Sequence, residues 1–365
     1  MLVVCFVVFY LQSENDCFAR GILRAFLVLT QILVRRLVLT CAAYFFFRQR
    51  SGEQMQLHEL VNTFGQDLHR RYGEKVHKLT LHGGFSCPNR DGTIGRGGCT
   101  FCNVASFADE KAQYLPIEQQ LNQRAGEISR AKRYLAYFQA YTSTHAEVQT
   151  LKKMYEEALQ TADIVGLCVG TRPDCVPDAV LDLLAGYHQQ GYEIWLELGL
   201  QTANDKTLKR INRGHDYACY ETIAKRARAL GIKVCTHLIV GLPGDTKEDN
   251  IETVKKVVAA GVDGVKLHPL HIVQGSKMAQ AWQADRLKSI SLEEYTEIAS
   301  EMIRLTPPEV VYHRVSASAR RPTLLAPEWC ENRWLAMTEI GRHLDKHGAQ
   351  GALVGDAFVY EPVIK

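Results

Sequence analysis

The sequence predicts an α/β protein: a partial, open (βα)6 barrel with a small C-terminal α+β extension. Three observations carry this. Between about residues 76 and 305, strand-length apolar runs alternate with helical periodicities in six successive units. The connections are short, which favours parallel strands joined by crossover helices. Six units fall short of the eight that close a full barrel.

The elements follow in order. Leu57, Leu60, Val61, Phe64 and Leu68 predict a helix over Leu57–Arg71. VHKLTLH, residues 76–82, alternates as a strand, and a glycine-rich loop occupies residues 83–103. Pro116 suits the first turn of a helix running to Arg133. YLAYFQAYT predicts a strand over Tyr134–Thr142, and His145–Gln160 a helix. Strands follow at Ile164–Gly170, Glu193–Gln201, Lys233–Gly241 and Gly264–Pro269. Helices are expected at Pro177–Gln190, Asp205–Ile211, Tyr217–Leu230, Lys247–Ala260 and Leu292–Leu305. Pro307-Pro308 breaks the chain. Beyond it come a strand-like stretch, Val310–Val315, and a helix from about Glu328 to His347. That remainder is too small to stand alone and is expected to pack on the barrel. The chain therefore divides into a segment 1–54, a core 55–305 and an extension 306–365.

The chain has 365 residues with 43 Lys+Arg and 40 Asp+Glu, a net charge of +3. That balance excludes a histone-like nucleic-acid binder, and 46% hydrophobic residues exclude intrinsic disorder. The whole excess lies in residues 1–54, which hold six Arg and three acids; the other 311 residues carry 37 bases and 37 acids. Residues 1–54 lack a basic region ahead of the apolar run Leu2–Leu11, as a signal peptide would need. The runs Ala25–Val34 and Leu37–Phe47 are 10 and 11 residues long, too short to span a bilayer. Joining them would bury Arg35 and Arg36, so no stable membrane insertion is expected. Met55 opens sequence of ordinary composition, and the reading adopted is that translation starts there. A membrane-surface helix with Arg24, Gln31 and Arg35 as its polar strip is the alternative.

The sharpest feature is CPNRDGTIGRGGCTFC, which places Cys87, Cys99 and Cys102 on one turn-rich loop. Structural zinc needs a fourth ligand, usually from a second CxxC or HxxxH pair, and the other cysteines are isolated. A thioredoxin-type pair would leave Cys87 without a role. A [4Fe–4S] cluster held by three thiolates, with one iron open, fits best. The loop follows the first strand, so the cluster would sit at the C-terminal mouth of the barrel, where parallel α/β folds place their chemistry.

With GGFSCPNRDGTIGRGGCTFCN, ELGLQTANDKTLKRINRGH, HLIVGLPGDT and VKLHPLHIV, the chain resembles radical S-adenosylmethionine (SAM) enzymes. Eleven residues separate the first two cysteines where the commonest motif has three. That is typical of the YhcC-type family and the related radical-SAM domain of the Elongator catalytic subunit. The resemblance covers about residues 55–365. It implies a radical-SAM barrel that cleaves SAM to a 5′-deoxyadenosyl radical, which takes hydrogen from an unreactive substrate carbon. It implies an electron donor such as flavodoxin or ferredoxin, and a tRNA or small-metabolite substrate. Such clusters need a reducing compartment, hence the cytoplasm.

In similar enzymes the residues matching Gln201 and Arg213 contact SAM. Arg offers a planar fork to a carboxylate, and Gln can serve ribose hydroxyls. Thr142, at the end of the second strand, matches the edge that binds the SAM amino group. Gly241, in the turn GLPG after the fifth, matches the backbone that meets adenine. The competing readings are a strand-end Gln or hydroxyl, a solvated Arg and an ordinary turn. Arg172 and Asp174 read as SAM or substrate contacts, or as a mutual ion pair. His268 and His271 read as packed strand-end histidines ahead of substrate groups. Cys168 and Cys235 read as core; Cys330 is a hydrogen-atom donor or, more simply, a buried thiol. The basic residues read mostly as solvated helix faces, and the body's zero net charge counts against a dedicated RNA-binding domain. With one cysteine triad and a single late cysteine, a single-cluster enzyme is expected. The alternatives are a non-catalytic iron–sulfur sensor or scaffold, and a zinc-binding RNA protein.

Overall fold

A computed structural model of the chain describes residues 55–103, 110–128 and 131–355. The segment 1–54, with the surface helix that is its alternative reading, lies outside the described residues. Among the described residues there are nine strands: β1 (Val76–Leu81), β2 (Arg133–Phe138), β3 (Ile164–Thr171), β4 (Glu193–Gln201), β5 (Lys233–Val240), β6 (Gly264–Pro269), β7 (Ile272–Val273), β8 (Val311–Arg314) and β9 (Leu324–Ala326). Seven form one parallel sheet in the order β1-β2-β3-β4-β5-β6-β8; β7 and β9 form a separate antiparallel pair. β1 and β8 do not pair with each other, so the barrel is open.

The sequence dictates this arrangement through burial on two faces. β3 and β4 are buried along almost their whole length, as strands covered on both sides must be. On β4, Ile194, Leu196 and Leu198 join the large core beneath the helices, whereas Trp195 belongs to a smaller cluster with Phe64, Leu68, Leu135, Cys168 and Cys235. The helix Phe64–Tyr72 supplies Phe64 and Leu68 to this inner cluster, so it plugs the N-terminal end of the barrel. Side-chain caps start the helices Asp205–Arg210 (Asn204), Tyr217–Ala229 (Asp216), Lys247–Ala259 (Thr246) and Leu292–Arg304 (Ser291).

Four elements differ from expectation for identifiable reasons. The helix expected over Leu57–Arg71 splits into Leu57–Leu60 and Phe64–Tyr72. Between them Val61 is extended, the Asn62 carbonyl accepts from the Tyr312 N–H (2.8 Å), and Thr63 bridges to Tyr312. Pairing with β8 overrides a genuine helical periodicity. The second strand stops at Phe138 instead of reaching Thr142, because the chain turns at Tyr141 (φ 61°). The stretch Val310–Val315 forms β8 and becomes the seventh strand of the main sheet, with Leu292–Arg304 as its crossover helix. The late helix begins only at Leu335, after a single turn at Glu328–Glu331 and an extended Asn332. No helix among the described residues is long and apolar enough to cross a membrane.

Candidate functional site

The C-terminal ends of the strands enclose a cavity of about 310 Å³. Its lining includes Cys87, Cys99, Cys102, Thr142, Gln201 and Arg213. Gly241 is not part of the lining. It takes a left-handed φ of 94°, and a Cβ there would press on Ile290 at 3.1 Å. The neighbouring Pro243 carbonyl already accepts from Arg210 (3.1 Å).

The cysteine loop is locked by local chemistry. Pro88–Asp91 forms one helical turn that Gly92 ends at φ 97°. Asp91 accepts from the Ser86 hydroxyl (2.6 Å) and the Thr93 N–H (3.0 Å). The loop is then tied to the turn after Asp205–Arg210. Thr100 N–H donates to the Ile211 carbonyl (3.0 Å), and Asn212 Nδ2 donates to the Gly98 carbonyl (2.8 Å). Asn89 Nδ2 donates to the Asn212 carbonyl (2.5 Å). This stitching brings Arg213 onto the cysteines: its Nη1 donates to Cys99 Sγ at 3.4 Å and its Nε to the Gly199 carbonyl at 3.1 Å. Arg213 is only 7% exposed. Burial, and then Cys99 beside it, push the Cys102 thiol up, with Arg90 opposing. A metal taken up here would displace that proton.

Two observations mark the mouth as built for a ligand. The Thr142 hydroxyl and Arg172 Nη1 are buried and have no hydrogen-bond partner. Arg172 and Asp174 do form the ion pair that was one of their two readings (2.6 Å), so the orphaned Nη1 is a surplus donor. Tyr141 and Gln201 line the cavity, and both hold left-handed backbone without being glycine (φ 61° and 83°). Such strain concentrates at functional sites. Gly199 makes room for the convergence: a Cβ there would lie 2.6 Å from Arg213 Nη2 and 2.8 Å from Gln201 Nε2. Gly199→Ala is therefore expected to displace both side chains and, if they make the SAM contacts that the resemblance implies, to weaken SAM binding by at least about tenfold. Equilibrium dialysis of the reconstituted protein checks this; unchanged affinity would refute it.

A second tier lies deeper and was missed in the sequence. Glu197 stands four residues before Gln201 on β4, about 13 Å further in at the usual strand rise. It is fully buried. Lys78, Lys266 (3.2 Å), His237 (2.7 Å) and His313 (3.4 Å) all converge on its carboxylate. Lys266 also donates to the Tyr137 hydroxyl (2.8 Å). Glu197, Cys235 and His313 offer ligand atoms within 4.8 Å of one another. The two ammonium groups on that carboxylate would repel a metal cation. The signal that could have revealed this tier is a charge or histidine on inward positions of otherwise apolar strands, as in VHKLTL, EIWLELGLQ, KVCTHLIV and GVKLHP.

Burial keeps the nearby histidines neutral. It pushes His237 and His271 down to about 4, His313 to about 3, and His268 well below the usual histidine range. His268 and His271 line the cavity as a ring pair 4.3 Å apart. Because their folded values lie below the unfolded value near 6.5, these groups favour folding above pH 6.5. That contribution is lost as pH falls from 6.5 towards 4. At pH 5 His271 alone would have lost about 2 kcal/mol. The urea midpoint is expected to drop over this window, and a flat profile would contradict the neutral assignment.

Comparison with known proteins decides the family. The radical SAM superfamily model matches residues 89–257, and the Radical_SAM C-terminal domain model matches residues 262–346. The chain is 70% identical over 301 residues to protein YhcC of Escherichia coli K12, a match covering 82% of this chain and 97% of that one. The chain belongs to the radical SAM superfamily. YtqA of Bacillus subtilis is 38% identical over 79% of this chain and 90% of its own. Among solved structures, the archaeal Methanocaldococcus infernus Elp3 superposes with a TM-score of 0.54 at 17% identity, over 75% of this chain. The match spans 64% of that protein, just under two thirds of its length, and concerns the fold alone. Membership makes this an enzyme of the radical SAM class. Cys330 is buried and is not part of the cavity lining, although its carbonyl accepts from the N–H of Ala319, which is (3.2 Å); Cys168 and Cys235 are buried inside the barrel.

Proposed function

We propose that this radical SAM enzyme binds one [4Fe–4S] cluster through Cys87, Cys99 and Cys102, with SAM held beside it by Thr142, Gln201 and Arg213. The observation that carries the reading is convergence. Three free cysteines, an unpartnered buried hydroxyl and a buried arginine donating to Cys99 face one cavity around a glycine. Gly241 is left out of the set because the cavity does not reach it.

Together the bound cluster and SAM supply an electron and a 5′-deoxyadenosyl radical. The chain's own residues bind and orient. Arg213, fixed between Gly199 and Cys99, holds its remaining donor capacity for the methionine carboxylate. The Thr142 hydroxyl serves the amino group, and Gln201 the ribose. The enclosing strands align the substrate carbon and keep water and oxygen away. A flavodoxin or ferredoxin delivers the electron, in the reducing environment of the cytoplasm. The Elongator resemblance supports tRNA as substrate ahead of a small metabolite. The equal numbers of bases and acids after residue 54 lend tRNA no electrostatic support.

Anaerobic reconstitution with iron and sulfide, followed by dithionite and SAM, tests the reading through formation of 5′-deoxyadenosine. An iron-loaded protein that forms none would instead be an iron–sulfur sensor or scaffold. Zinc without iron after anaerobic purification would point to a zinc-binding RNA protein.

A further inference from the structure

The deep tier holds more positive charge than its acid can balance. Lys78 and Lys266 share the single carboxylate of Glu197. Arg314, at the end of β8, adds a third cation to this tier and lines the cavity together with Lys266. Its guanidinium makes no ion pair or hydrogen bond among the described residues, and its Nε is buried without a partner. It also faces its like. Lys266 and Arg314 occupy paired positions of the parallel strands β6 and β8. Neighbouring strands lie about 4.8 Å apart, and like charges so paired repel each other.

The neighbours do not relieve this charge. His237, His268, His271 and His313 are neutral, and Tyr137 offers only its hydroxyl. Burial draws the Arg314 guanidinium down from its usual range, and it draws Lys266 down to about 8 against the pull of Glu197, with Arg314 and Lys78 adding to the effect. Leaving a cation buried and unpaired is costly, so an unpartnered Arg314 facing a cavity, beside a Lys266 that shares its one carboxylate with Lys78, is ordinarily met by a ligand of opposite sign.

We infer that the deep tier, around Arg314 and Lys266 with the Tyr137 hydroxyl beside them, is the subsite for an oxyanion of the substrate, a carboxylate or a phosphate. The planar guanidinium presents a two-pronged donor, and Lys266 a second charge. The subsite lies on the β6–β8 side of the cavity, whereas Gln201 and Thr142 belong to the ends of β4 and β2, so it would anchor the substrate's charged end and leave its reacting carbon towards the groups assigned to SAM. Calling the bound molecule a substrate rests on the radical SAM reading; anion binding itself does not.

The test uses the full reconstituted chain with SAM present at saturation and measures binding without any reductant. Acetate, inorganic phosphate and neutral acetamide are titrated at constant ionic strength, followed by calorimetry and by the melting temperature. Saturable binding of acetate or phosphate, with none of acetamide, is expected. The preferred ion separates the carboxylate arm from the phosphate arm. Arg314→Gln and Lys266→Met should each weaken that binding at least about tenfold, with the cluster absorbance retained as evidence of folding. No saturable anion binding by the unsubstituted protein would overturn the inference, whatever the variants do. So would anions that displace SAM, or equal binding by folded Arg314→Gln. Failure of 5′-deoxyadenosine formation alone would sink the radical SAM reading and leave the anion result standing.

Discussion

Cys99→Ala protein, reconstituted anaerobically, is expected to bind no stable cluster and to form 5′-deoxyadenosine only at background level. Cys99 is the sharpest of the three positions to test. It is 6% exposed, and its sulfur accepts from Arg213 Nη1 (3.4 Å) and Asn89 Nδ2 (3.7 Å). Removing the thiol takes away one of the three thiolates proposed as ligands, and it also leaves Arg213 Nη1 without that acceptor, while Asn89 Nδ2 keeps the Asn212 carbonyl. Three thiolates are already fewer than the four that iron–sulfur clusters usually have, so the loss of one has no protein substitute. The loop itself should survive. Its ties to the rest of the fold run through Thr100 N–H, the Gly98 carbonyl and the Asn212 amide, none of which uses the sulfur. Far-UV circular dichroism and melting should therefore stay close to those of the parent protein while iron content collapses. Cys330→Ala is the matched control. That thiol is also buried, but it does not line the cavity, so iron content and turnover should hold. Iron retained by Cys99→Ala, or lost equally by Cys330→Ala, would refute the ligand assignment.

The two tiers of the site differ in how far a sequence can reveal them. The cysteine loop is local: three ligands and the turn residues between them lie within sixteen consecutive positions, and the chemistry of the turn follows from their types. Gln201 and Arg213 were reachable because a motif surrounds each. What no local reading supplies is the tie between the loop and the turn at Ile211–Arg213, which depends on long-range hydrogen bonds. The deep tier is scattered from Lys78 to Arg314 over strands that meet only after the sheet has curled. Its members look like single polar interruptions of apolar strands until register puts them on one face. β8 shows the same limit. Four residues after a Pro-Pro break are weak evidence for a strand, yet pairing with β6 makes them one and carries Arg314 into the cavity. Gly241 marks a different limit. A turn of suitable composition matched a motif, but its neighbouring carbonyl is already taken and the glycine lies off the lining.

Glu197→Gln is expected to cost about 3–5 kcal/mol of unfolding free energy at pH 7, read from urea denaturation. Glutamine keeps the size and two hydrogen-bonding ends of the side chain, so packing is preserved and charge alone is removed. Lys78 and Lys266 would then share the barrel interior with Arg314 and no acid. The pH dependence separates this from a packing defect. Burial alone would raise the Glu197 carboxyl, but Lys266 and Lys78 hold it well below its ordinary value of 4.5. A group depressed in this way contributes stability above its unfolded pKa and loses it as pH falls through the folded one. The gap between parent and variant should therefore be full at pH 7 and close below about pH 4.5. At the alkaline end the lysines respond. Lys266 already releases its proton near 8 in the folded protein, and without Glu197 it should do so at still lower pH. The variant's stability should then climb with pH from below 8, because the unfolded chain binds that proton more tightly than the folded one does. Adding Lys266→Met to Glu197→Gln should recover part of the loss, since the double variant buries one unpaired charge fewer. Strictly additive losses across the pH range would mean that Glu197 acts through shape and not as the counter-ion of the barrel interior.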